Sequence, residues 1–144
     1  MTTVNIYLTF NGNCEEAFNF YKSVFGGEFS YIGRFKDMPD SGGKPLPKED
    51  LEKIMHVGLP ISKETMLLGS DTGGEWAPYF SAGNNFSVSV TTSSKTEADR
   101  PFNGLLAGGR VTMPLEKTFW GEYFGMLTDK FGINWMVGFR EDPK

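Results

Sequence analysis

The sequence predicts an α+β protein in which a β-α-β-β-β module occurs twice in tandem, its curved mixed sheets folded around a cleft. Three observations carry this. Asn5-Ile6-Tyr7-Leu8-Thr9-Phe10 and Asn85-Phe86-Ser87-Val88-Ser89-Val90 alternate apolar and polar residues with the same polarity at each position. Each segment leads into a helical pattern that stops at a double glycine, Gly26-Gly27 and Gly108-Gly109. Glu16-Ala17 and Glu97-Ala98 match within those helices, and repetition on this scale marks an internal duplication. The 144 residues are read as a single domain of two halves, about 1–71 and 85–140, joined by a loop at 72–84.

In chain order, Val4 to Phe10 reads as a half-buried strand with Val4, Ile6, Leu8 and Phe10 on one face. Asn13 is the expected N-cap of a helix whose first turn holds Glu15 and Glu16, where the helix dipole favours carboxylates. Ala17, Phe18, Tyr21, Val24 and Phe25 follow at helical spacing, and Gly26-Gly27 ends the run. Strands are expected at 28–35, 54–61 and 65–70. Between the first two lies 37–50, rich in proline, glycine and charge, which reads as a solvated connection or a lid. Residues 72–84 form a second loop with Trp76, Tyr79 and Phe80. The second half predicts a strand at 85–90, a helix at 95–107 and strands at 110–114, 123–128 and 134–139.

Composition excludes several functions. The formal charge is −4 and the isoelectric point is near 5.0, which removes the basic field that nucleic-acid or anionic-membrane binding needs. One cysteine, Cys14, rules out an intramolecular disulfide or a CxxC motif. One histidine, His56, rules out sites that draw two or more imidazoles from one chain. No basic leader with an apolar stretch opens the sequence, and no apolar window has the length of a membrane span. A cytoplasmic location is expected.

If Ile6, Leu8, Phe10, Phe86, Val88 and Val90 face the helices, then Asn5, Tyr7, Thr9, Asn85, Ser87 and Ser89 face the cleft. Such a polar lining opposite an apolar packing face suits a small-molecule cavity. His56 shares a strand face with Gly58. It reads either as a general base or anion-binding group, or as a hydrogen-bonded structural histidine. Phe119, Trp120, Tyr123 and Phe124 surround a glycine turn, where they would stack on a ligand, plug the cavity or form a subunit contact. Trp135 reads as core, Glu15, Glu16 and Glu97 as solvated helix-start charges, and Cys14 as structural despite the dipole that could lower its pKa.

Several segments carry a resemblance: Tyr7 to Gly12, Glu16 to Tyr21, Phe25 to Glu28, Leu67 to Asp71 and Gly108 to Val111. The strongest are Thr118-Phe119-Trp120-Gly121-Glu122-Tyr123-Phe124-Gly125 and Asp129 to Val137. In this order they resemble the vicinal oxygen chelate superfamily of glyoxalase I, bleomycin-resistance proteins and extradiol dioxygenases. The chain is most similar to the PhnB-like branch, labelled 3-demethylubiquinone-9 3-methyltransferase-like. The methyltransferase label finds no support in a glycine-rich loop between strand and helix.

The resemblance implies the glyoxalase/bleomycin-resistance fold, common dimerisation and, in metal-dependent members, His, Glu or Gln at four strand positions. By pattern those are Asn5, Leu68, Asn85 and Met136 here, and Leu68 and Met136 bind no hard or borderline divalent ion. The expected protein is therefore metal-free and without a cofactor, a homodimer that binds a small, partly apolar ligand. Its contacts would come from Asn5, Tyr7, His56, Asn85, Ser87, Trp120 and Met136. The alternatives are a glyoxalase- or dioxygenase-like enzyme, with an atypical metal site or His56 as general base, and a structural module whose cavity is filled by its own side chains.

Overall fold

The computed structural model describes residues 2–37 and 47–140, and most of the expected lid at 37–50 lies outside them. The chain divides into two units, residues 1–81 and 82–144. Each carries one helix on a four-stranded mixed sheet.

In the first unit, β1 (Ile6–Phe10), α1 (Cys14–Phe25), β2 (Tyr31–Arg34), β3 (Ile54–Pro60) and β4 (Met66–Asp71) follow the predicted order. The sheet runs β1-β4-β3-β2, with β1 parallel to β4 and the other pairs antiparallel. A helix bridging β1 and β2, with hairpin-like returns, gives this order without crossing connections. Leu8 and Phe10 are buried beneath α1, whose Cys14, Ala17, Phe18, Tyr21 and Val24 form one stripe. Phe18 meets the edges of Phe10 and Tyr21 at centroid separations of 6.1 and 5.7 Å. Gly26 and Gly27 end α1 at φ near +80°, a conformation that glycine reaches without strain.

The α1 N-terminus differs from expectation. Asn13 makes no side-chain cap. Asp71, at the end of β4, accepts hydrogen bonds through Oδ1 from the amides of Gly12 and Cys14, and through Oδ2 from that of Ile54, each at 2.9 Å. One buried carboxylate thus fastens the helix start to two strands. Glu15 is also more than a solvated charge. Arg34 donates to its two oxygens at 2.9 and 2.7 Å, and this bidentate pair holds the carboxyl below the ordinary glutamate range.

The second unit comprises β5 (Val88–Thr91), α2 (Lys95–Leu106), β6 (Arg110–Lys117), β7 (Glu122–Thr128) and β8 (Asn134–Arg140), with sheet order β5-β8-β7-β6. Ser94 caps α2 by accepting from the Glu97 amide at 3.1 Å. Trp135 is buried as expected, and its Nε1 donates to Asp129 at 2.9 Å. Two strand bounds of this unit move by three residues, as does the start of β2, which begins at Tyr31 rather than 28. β5 begins at Val88, where its ladder to β8 begins with the Val88–Trp135 pair, and Phe86 precedes the strand and is 46% exposed. β6 continues to Lys117, past register shifts on both sides of Met113. No helix among the described residues is long and apolar enough to cross a membrane.

Candidate functional site

On the first sheet, the face away from α1 is fixed by register. Tyr7 lies beside Leu68, Leu68 beside Gly58, and Gly58 beside Tyr31, which makes one row across all four strands. Gly33 and His56 pair beside that row. The two tyrosine rings converge on the histidine, Tyr7 stacked at 5.8 Å and Tyr31 tilted at 5.9 Å between ring centroids. The Tyr7 hydroxyl lies 3.3 Å from His56 Nδ1. The hydroxyl donates when that nitrogen is bare and accepts when it carries the proton. Gly33 makes this possible: a Cβ there would collide with the Tyr31 hydroxyl, so the glycine leaves room for the phenol to lie on the sheet.

Tyr7 and Tyr31 remain about half exposed, at 49 and 50%, and His56 is half-buried. The exposed half of each tyrosine offers a surface against which a planar group can lie. His56 offers a polar nitrogen beside that surface. No carboxylate among the described residues contacts the imidazole, so the orienting partner typical of a strong general base is replaced by a phenol. Asn5 is adjacent, before β1, where its Oδ1 accepts from the Met66 amide at 3.1 Å.

The remaining predicted contacts belong to the second unit. Asn85 and Ser87 precede β5 and lie outside its ladder. Met136 lies in register with Ser89 on one side and Met126 on the other. Trp120 sits at the β6–β7 turn, where Gly121 has φ +88°; its Nε1 donates to Glu122 at 3.1 Å and its ring meets Phe119 and Phe124 at 5.0 and 5.9 Å. Phe119 is almost wholly exposed. Tyr123 separates from this aromatic group. Its hydroxyl donates to Asp99 on α2, and that bond, helped by burial and the aspartate charge, pushes the phenol up to about 12. A groove of about 490 Å³ runs past Lys95, Leu115, Lys117, Tyr123 and Phe139, and none of the predicted ligand contacts lines it.

The residues present do not fit a metal centre of the His, Glu or Gln kind. Of the four positions that the resemblance implies, two carry Leu68 and Met136, and no group of three or more His, Cys, Asp or Glu among the described residues is placed to hold an ion. Cys14 is fully buried, and burial, then the Asp71 and Glu15 charges, push its thiol up, opposite to the dipole effect weighed from sequence. The residue missed by sequence reasoning is Tyr31. Its only signal is an aromatic two residues before Gly33, and its role depends on the β2–β3 register.

Comparison with known proteins agrees with this architecture. The family model described as 3-demethylubiquinone-9 3-methyltransferase matches residues 2–138. Protein YjdN of Escherichia coli K12 is 30% identical over 140 residues, covering 91% of this chain and 90% of YjdN. The crystal structure of protein PA1353 from Pseudomonas aeruginosa superposes with a TM-score of 0.83 at 39% identity, covering 99% of this chain and all of that one. A putative 3-demethylubiquinone-9 3-methyltransferase, PhnB protein, from Bacillus cereus gives a TM-score of 0.72 at 26% identity over 96 and 99% of the two chains. A glyoxalase/bleomycin resistance protein/dioxygenase family enzyme from Burkholderia phytofirmans PsJN shares the fold, with a TM-score of 0.57 at 15% identity over 92 and 95%. The chain belongs to the 3-demethylubiquinone-9 3-methyltransferase, or PhnB-like, family and has the glyoxalase/bleomycin-resistance fold.

Proposed function

We propose that this protein binds a small, partly apolar ligand without a metal, on the open face of the first sheet. The observation that supports this is the convergence of the Tyr7 and Tyr31 rings on His56, with both tyrosines half exposed. Stacking supplies the apolar contact, and the imidazole and phenol hydroxyls supply hydrogen bonds or hold an anionic group. Leu68 and Gly58 form the floor between the tyrosines. The ligand in this reading is a flat ring with one polar or acidic substituent. The same proposal takes the chain as a single domain acting in the cytoplasm as a homodimer. The exposed Phe119 and Trp120 supply apolar surface for a second copy.

The test uses benzoate, phenylacetate, 4-hydroxybenzoate and benzamide as probes, followed by amide chemical shifts. His56→Ala is expected to weaken the bound probes by about tenfold. The melting temperature should stay within about 2 °C, because the imidazole contributes no packed core contact. Unchanged affinity together with a lower melting temperature would assign His56 to the scaffold and overturn the proposal.

A further inference from the structure

Three of the chain's seven methionines lie in one row on the second sheet. Met113 on β6 pairs with Met126 on β7, and Met126 pairs with Met136 on β8. Directly paired residues on neighbouring strands project their side chains to the same side. Gly125 and Leu127, which flank Met126, are buried on the opposite side with Trp135 and Val137, so the methionine row lies on the face away from α2. Register shifts lie on both sides of Met113, whose pairing with Met126 places it in the row; the next pair along β6 is Glu116 with Phe124, on the face of Met126. All three methionines are half-buried, accessible from solvent yet backed by the sheet.

We infer that Met113, Met126 and Met136 form a thioether site for a soft monovalent cation, Cu(I), with Ag(I) as its air-stable counterpart. Paired residues on adjacent strands are about 5 Å apart at Cα, and the long unbranched methionine side chain lets the two outer sulfurs reach over the middle one. Thioethers are poor ligands for hard ions and good ones for soft ions, so this donor set selects Cu(I) or Ag(I) over Mg, Ca or Zn. Phe124 lies two residues before Met126 on the same face, with its ring edge-on to Trp120. Glu116 beside it adds negative charge without entering the thioether set. All three methionines belong to the second unit, so the inference does not rest on the reading of the first sheet.

The experiment titrates silver nitrate into full-length protein carrying methyl-labelled methionine, alongside a Cys14→Ala form that removes the lone thiol. The methyl signals of Met113, Met126 and Met136 should move together and saturate at one Ag(I) per chain, in both forms. Met126→Leu, nearly the same volume, should weaken Ag(I) by at least about tenfold. Met136→Leu serves as the second variant, and circular dichroism confirms that each is folded. The inference is overturned if these three signals stay still, if binding vanishes in Cys14→Ala, or if both leucine variants bind Ag(I) like the parent.

Discussion

Replacing Asp71 with alanine is expected to destabilise the first unit by about 3–5 kcal/mol. The carboxylate is buried and receives the amides of Gly12, Cys14 and Ile54. Removing it leaves three donors in a site closed to water, each costing about 1–3 kcal/mol when unsatisfied. Asp71→Asn keeps one acceptor oxygen but turns an NH2 group toward one of these amides, so about half the loss is expected. Denaturant unfolding gives the total. Faster hydrogen exchange at those three amides, with Trp135 unaffected, would place the loss where the geometry puts it.

Trp135→Ala should cost about 3–5 kcal/mol in the second unit. The indole is 1% exposed, the largest fully buried side chain among the described residues, and its removal leaves a cavity beneath α2 in addition to the lost transfer energy. Trp135→Phe keeps most of the volume and removes the Nε1 bond to Asp129, so a loss of about 1–2 kcal/mol is expected. Asp129 still receives the Phe131 and Ile133 amides at 2.8 and 3.0 Å, so the turn before β8 should persist. Near-ultraviolet circular dichroism and denaturant midpoints separate these outcomes.

Alternation at Ile6–Phe10, helical spacing through Val24 and the paired double glycines were enough to read both modules, because these signals are local. Effects that depend on distant partners were not legible. Nothing around Asn13 reveals that its capping role passes to Asp71, 57 residues from Cys14 in sequence. Nothing around Tyr31 reveals that it lies against His56, since that requires the β2–β3 register and the room left by Gly33. The strand expected at 110–114 ends early in sequence because the shifts around Met113 break the two-residue period, while pairing to β7 carries the strand to Lys117. The Met113–Met126–Met136 row is hidden for the same reason. Asn5, Tyr7 and His56 are expected together as ligand contacts, but nothing local shows that Tyr7 lies against His56 while Asn5 accepts from the Met66 amide.

The most direct test is a nuclear Overhauser experiment on the protein saturated with whichever aromatic probe binds most tightly. The account predicts contacts from the probe ring to the rings of Tyr7, Tyr31 and His56. A probe that touches only other surfaces, or a panel that leaves all three rings unperturbed, would contradict it.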